Sequence, residues 1–191
     1  MVNIILFGPP GSGKGTQGKN LASHYNLMLV STGEILRQEI AAESPLGLTA
    51  KKFIEKGSLV PDEVIIDMME KLIKEHLNDK GLLFDGFPRT VAQAEALDKK
   101  LAKNGQSVTA LLELSVPEEE LVERLLKRKE IEGRSDDNID TINNRLKVYH
   151  SQTEPIVDHY HGKGKHHRIN GVGEIEEIAH RLHEEMEKIC S

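Results

Sequence analysis

The chain has 191 residues, which suits one domain with a sizeable core and small appendages. Charged residues make up 29% and hydrophobic ones 38%, and with no Trp and only 4% aromatics the core must be largely aliphatic. A formal net charge of -6 argues against general binding to nucleic acid or anionic membranes. No apolar run approaches the roughly 20 residues of a membrane span. The opening apolar run is too short for a secretion signal and leads straight into a glycine loop. The single Cys190 has no internal disulfide partner and points to a reducing compartment. The expectation is a soluble, cytoplasmic protein.

In chain order, residues 2–7 form a continuous apolar run, as a strand buried on both faces does. A glycine loop and a helical stretch to about His24 follow. Residues 27–30, 82–84 and 108–114 read as further strands, and Arg168-Ile169 as a weaker fifth. Helical patterns fill the gaps at 62–77, 90–103 (opening on the capping-box signature of Thr90 and Gln93), 118–129, 137–160 and 174–189. Alternation of this kind predicts an α/β fold, a five-stranded parallel sheet flanked by helices and joined by right-handed crossovers. Ligands bind such sheets at the carboxyl ends of the strands, so function is expected in the loops after Phe7, Val30 and Phe84.

Residues 8–16, Gly-Pro-Pro-Gly-Ser-Gly-Lys-Gly-Thr, match the G-x-x-x-x-G-K core of a Walker A loop. Its glycines let backbone N–H groups turn inward as an anion nest, reinforced by the helix N-terminus that follows. Lys14 would carry positive charge to the β- and γ-phosphates. The residue after Lys14 is Gly15 and the hydroxyl comes only at Thr16, so direct magnesium ligation by this loop is in question. Phe84-Asp85-Gly86-Phe87-Pro88-Arg89 places an acid at the end of a buried strand, the Walker-B-like arrangement that holds Mg²⁺ or its water shell. Ser31-Thr32-Gly33-Glu34 ends the second strand in a similar way, with Arg37 one turn on. Helix capping by Ser31 or Thr32 is the plain alternative there.

Lys and Arg together number 25, but only eight are Arg, and four of those are Arg124, Arg128, Arg134 and Arg145. Arginine suits bidentate phosphate contacts and keeps its charge. A helix–loop–helix hairpin would let these four converge on a polyphosphate. The competing reading is a salt-bridged surface hairpin, because Glu120, Glu123, Asp136 and Asp137 lie close by. His159, His161, His166 and His167 are expected in a solvated Gly/Lys-rich connection rather than at a metal.

Taken together, residues 8–17, 31–37, 56–61, 85–89 with Gln93, and 133–137 with Arg145 resemble the adenylate kinase family along essentially the whole chain. The resemblance implies a P-loop NTPase fold and reversible, Mg²⁺-dependent phosphoryl transfer between ATP and AMP, giving ADP. It implies that Gly11, Ser12, Gly13, Lys14, Gly15 and Thr16 wrap the ATP phosphates. Arg124 and Arg128 would face ATP, with the backbone near Gly173 on the adenine. AMP would be held by Thr32, Arg37, the 58–60 backbone (Ser58, Leu59, Val60), Gly86, Phe87, Pro88, Arg89 and Gln93. Arg134 and Arg145 would clamp the phosphates in the closed state, and Asp85 would hold magnesium through water. Lys14, Arg89, Arg124, Arg134 and Arg145 would thus be the catalytic groups. The chain departs from the family in carrying Glu34 where Asp is usual. Only five residues separate Arg128 from Arg134, which implies a short lid without structural zinc. The implied layout is a monomer with a core of residues 1–30, 61–127 and 138–191, a mobile AMP-binding helical segment at 31–60 and a lid at 128–137. The nearest rival is a UMP/CMP kinase, which resembles this pattern but usually carries Ala at the position of Thr32. A P-loop switch of the GTPase type would need an Asn-Lys-x-Asp guanine motif, and the sequence has none.

Overall fold

The strand β1 (Val2–Phe7) is the centre of the molecule, and its pleat explains its unbroken apolar sequence. Ile4 and Leu6 point to one face, into a cluster with Leu21, Leu83, Leu112, Leu114, Ile178 and Leu182. Ile5 and Phe7 point to the other, against Phe84, Leu97, Leu111, Tyr149 and Ile156. A strand covered on both faces has no solvent side on which to place polar residues. The computed structural model describes residues 1–76 and 79–190. β1 pairs in parallel with β3 (Gly81–Asp85) on one side and β4 (Ala110–Ser115) on the other. β2 (Met28–Ser31) and β5 (His166–Asn170) complete an all-parallel sheet of order β2-β3-β1-β4-β5. The order reverses beside β1, so the loops after β1, β3 and β4 diverge around a crevice at the carboxyl edge.

On one face lie α1 (Lys14–Tyr25) and α9 (Ile175–Cys190), packed against each other. On the other lie α4 (Asp62–Glu75), α5 (Val91–Lys103) and α8 (Ile156–His161). The predicted helix end at Leu77 falls outside the described residues. The segment after β2, expected to be helical over residues 31–60 but without element bounds, is made of α2 (Thr32–Ala41) and α3 (Pro45–Ile54). They pack chiefly on one another, with Ser44 capping α3 by accepting from the Gly47 amide and Pro45 in its first turn.

The helix expected across residues 137–160 is in fact three pieces: α7 (Ile139–Val148), a π-helical turn at Tyr149–Thr153, and α8. Pro155, with no N–H to give, prevents a straight continuation. The wide turn faces the crevice, where Tyr149 packs on Phe7 with ring centroids 5.8 Å apart and Thr153 Oγ1 donates to Arg89 O at 2.8 Å. α6 (Glu118–Glu132) and α7 make the predicted hairpin, joined by Leu121, Leu125, Ile142 and Leu146. The histidines are not in a loop. His159 and His161 are on α8, whereas His166 and His167 are on β5, bonded to Glu113 and Glu185 at 2.7 Å each.

α2 and α3 meet at Gly47, where an added Cβ would lie 2.0 Å from Glu39 O and 2.6 Å from Ile40 N. Both are backbone atoms that cannot swing aside. Gly47→Ala is therefore expected to force the two helices apart and lower stability by about 3 kcal/mol or more, read as a fall in the urea midpoint. An unchanged midpoint would refute this close packing.

Candidate active site

The crevice is a cleft of about 960 Å³, bounded by the loops after β1, β2 and β3, the turn at 57–60, the α6–α7 hairpin and the start of α9. Along its lining, cationic side chains outnumber carboxylates, although the chain as a whole is acidic. Charge of one sign has been gathered here against the global balance.

The loop after β1 closes tightly on its surroundings. Gly8 (φ 147°) and Gly11 (φ 87°) hold left-handed backbone, and a Cβ on them would meet Leu114 O at 2.8 Å and Leu121 O at 2.9 Å. The loop feeds α1, whose first turn has no acidic residue and whose cap, Gly13, offers no side chain. Its leading N–H groups therefore remain free for an anion. Lys14 folds back over the loop and donates to Gly8 O and Pro9 O at 2.8 Å each and to Ser12 Oγ at 3.3 Å. Burial pushes its pKa down to about 7; Asp85 opposes this, while Arg89, Arg145 and Arg128 add to it. Gly15 and Thr16 occupy the exposed first turn of α1, close to the cleft.

Across the cleft, Asp85 ends β3 and accepts from Ser31 Oγ at 3.2 Å, while Thr32 Oγ1 donates to Gly86 O at 2.8 Å. Neither hydroxyl caps α2, so the capping alternative is set aside: both tie β2 to the β3 loop. Arg89 Nε donates to Gly86 O at 2.8 Å, and the Phe87–Pro88 peptide is cis. Arg89 keeps accessible surface because it forms part of the cleft wall, yet protein surrounds it. Burial, and then Arg145, lower its pKa. Arg37 is lowered by burial and then by Arg134.

The α6–α7 hairpin supplies the rest. Arg128 Nε and Nη2 donate to Asp137 at 2.6 and 2.7 Å, and Arg145 Nη1 donates to the same carboxylate at 2.8 Å. Arg134 Nε and Nη2 reach Asp136 at 3.2 and 3.3 Å. Asp137 is fully buried. Burial opposes the Arg128 charge, but the hydrogen bonds and charge of Asp137 outweigh it and raise its pKa. Arg145 is lowered, chiefly by burial. The hairpin thus satisfies both sequence readings: its arginines are salt-bridged, and they still converge on the cleft. Arg124 differs from the other three. It pairs with Glu120 and donates to Gly171 O at 3.0 Å, which turns it toward the loop before α9.

The turn at the end of α3 sits on α7, where Asn144 Nδ2 donates to Lys56 O at 2.6 Å and a Cβ on Gly57 would meet Thr141 O at 2.8 Å. Ser58, Leu59 and Val60 follow directly and line the cleft, as do Phe87, Pro88 and Gln93. Gly173 (φ 117°) lies at the opposite end, beside Ile175. Three side chains that the sequence did not single out hold this frame. Gln17 Nε2 donates to Ile175 O at 2.9 Å, Arg181 Nη1 to Asn170 O and Val172 O at 2.8 and 2.6 Å, and Asp62 accepts from Thr90 and Gln93. The partners of Gln17 and Asp62 are far away in the chain and those of Arg181 lie at the end of β5 and in the loop before its own helix, so no local motif marks them.

A parallel sheet of order 2-3-1-4-5 with a glycine loop leaving its central strand and a lysine at the head of the next helix defines a P-loop nucleotide-binding protein. The sequence model of the adenylate kinase family matches residues 6–165. Curated relatives named adenylate kinase include one from Parabacteroides distasonis, 51% identical over 99% of this chain and 100% of the relative. Another, from Porphyromonas gingivalis, is 53% identical over 95% of this chain and 94% of the relative. A third, from Micrococcus luteus, is 47% identical over 95% and 89%. The chain belongs to the adenylate kinase family and is a nucleoside monophosphate phosphotransferase.

The depressed Lys14 pKa has a measurable consequence. A polyanion beside Lys14 favours the ammonium, so its pKa rises on binding. Between about pH 7 and the bound value, binding takes up a proton, and affinity falls as pH rises, by up to about tenfold per pH unit. Calorimetric titration with ATP at pH 8.5, in buffers of different ionisation enthalpy, is expected to show proton uptake that disappears in Lys14→Met. No uptake in the parent protein would mean that Lys14 is already charged in the free state.

Proposed function

We propose that this protein catalyses reversible, Mg²⁺-dependent transfer of the γ-phosphoryl group of ATP to AMP, giving two ADP. The observation that carries this reading is the convergence of Arg37, Arg89, Arg128, Arg134, Arg145 and Lys14 on the one cleft that the phosphate loop opens into. One triphosphate does not need so many fixed cations; two nucleotides meeting phosphate to phosphate do.

In this reading the 11–16 loop holds the donor phosphates, Lys14 follows the transferred group, and Arg124, Arg128 and the Gly173 backbone hold the donor nucleoside. Thr32, Arg37, residues 58–60, 86–89 and Gln93 hold AMP, with Arg89 on its phosphate. Arg134 and Arg145 draw the lid onto the phosphates. The acceptor oxygen attacks in line and without a covalent enzyme intermediate, because positioned charge is sufficient for such a transfer. Asp85, an oxygen donor at the end of β3 beside Lys14, suits a hard cation held through water. Asp85 would hold magnesium there, and the ion would supply charge neutralisation to the donor phosphates. Residues 31–60 and 128–137 move over a core of 1–30, 61–127 and 138–191; the mutual packing of α2 and α3 supports a unit that shifts as one body. In this reading the protein acts as a monomer. The free, exposed Cys190 suits a reducing cytoplasm, and among the described residues no helix is long and apolar enough to cross a membrane.

Lys14→Met and Arg89→Ala are each expected to reduce turnover by about 10³-fold or more while leaving the circular dichroism spectrum intact, with the Lys14 loss chiefly in kcat. Near-normal turnover in either variant would overturn the assigned roles. A parallel assay of the parent protein with MgATP and AMP, UMP, CMP or GMP is expected to show strong preference for AMP. Preference for UMP or CMP would make it a pyrimidine nucleotide kinase on the same fold.

A further inference from the structure

Gln93 is buried, lines the cleft and sits one turn into α5, yet a side-chain amide alone has no fixed sense. Its carbonyl and amino ends have nearly the same shape, and exchanging them inverts the hydrogen-bond pattern it shows a ligand. Here each end meets a partner of one polarity only. Gln93 Oε1 accepts from the Arg89 N–H at 2.7 Å, and that group can only donate. Gln93 Nε2 donates to Asp62 Oδ1 at 2.8 Å, and a carboxylate can only accept. Asp62 is itself held: Thr90 Oγ1 lies 3.0 Å from both of its oxygens, and the same hydroxyl caps α5 by accepting from the Gln93 N–H at 3.2 Å. The capping box read from the sequence is therefore only half formed. The Gln93 side chain reaches past the cap residue to the amide of Arg89, which leaves its other end for Asp62.

We infer that Asp62 is a positioning residue that locks the sense of the Gln93 amide, and so sets which purine edge the acceptor site accepts. This rests on the reading of Gln93 as a group facing the acceptor base. An amide has two N–H bonds and two carbonyl lone pairs, and the contacts above use one of each. The remaining proton and lone pair match an amino group beside a ring-nitrogen acceptor, the edge of adenine. The edge of hypoxanthine shows the opposite order, a carbonyl beside a ring N–H, and meets the locked amide donor to donor and acceptor to acceptor. Asp62 also begins α4 directly after the 58–61 turn, so the lock joins two walls of the acceptor site, from opposite sides of β3 in the chain.

Asn at position 62 can donate as well as accept, which removes one of the two locks and leaves only the Arg89 N–H opposing the flipped amide, whose population therefore rises. Initial rates with MgATP and either AMP or IMP test this. In Asp62→Asn the ratio of kcat/KM for IMP to that for AMP is expected to rise about tenfold, mainly through KM for AMP, with KM for ATP unchanged. Asp62→Glu, which still accepts only, is expected to retain the parent ratio. A merely structural role would lower both acceptors together, and an unchanged IMP/AMP ratio in Asp62→Asn with folded protein would overturn the inference. Gln93→Ala separates the two levels. If it too leaves the ratio unchanged, Gln93 does not read the base and the underlying reading fails. If it shifts the ratio and Asp62→Asn does not, only the role of Asp62 is lost.

Discussion

Like charges crowded into a low-dielectric cleft repel one another, and much of this molecule is arranged around that repulsion. Arg37, Arg89, Arg128, Arg134, Arg145 and Lys14 lie close enough to depress one another's proton affinity or to require carboxylate partners. Asp136 and Asp137 supply part of the compensation, and the full burial of Asp137 shows how closely the guanidinium groups enclose it. Two carboxylates cannot neutralise the set, and Asp136 itself is held in its ionised form by Arg145 and Arg134 despite its burial. The residual positive field is what gives a polyanion its affinity, because binding relieves a repulsion that folding has already imposed.

The sheet makes that arrangement possible. Its parallel order and the reversal beside β1 deliver Gly8, Ser31 and Asp85 to one edge, while the aliphatic cores on both faces leave no freedom for the strands to slide. The segment proposed to move is attached less firmly. The α2–α3 pair packs mainly on itself, and its far turn rests on α7 through Asn144 and Thr141, the helix that also carries Arg145. In the proposed reading, closure of this segment and placement of Arg145 against a phosphate would share one contact surface, so neither could change without the other.

Much of this was legible in the linear sequence where local chemistry is decisive. The five strands, the phosphate loop and the Asp85–Arg89 corner could all be read because burial on two faces, glycine spacing and proline leave signatures within a few residues. The division of the 31–60 helical segment into α2 and α3 was not legible, since these helices are short, bury little on the sheet and are stabilised by each other. The broken helix after α7 was read as continuous because its helical periodicity runs through residues 149–153, and only the crevice-facing π turn and Pro155 interrupt it. The histidines at 166 and 167 looked like loop residues because nothing nearby shows the acids, Glu113 and Glu185, that hold them in β5.

The sequence by itself therefore determined the fold class, the P-loop and the set of arginines, since each depends on residue type and near spacing. Only the tertiary structure decided how those arginines are shared. Arg124 turns to the Gly171 loop, Arg128 and Arg145 divide one buried carboxylate, and Arg134 takes the other. The same holds for Gln17 and Asp62, whose hydrogen bonds join segments remote in the chain. The physical reason is that hydrogen bonds and charge pairing depend on distances in space, and a linear pattern fixes those distances only within a single element.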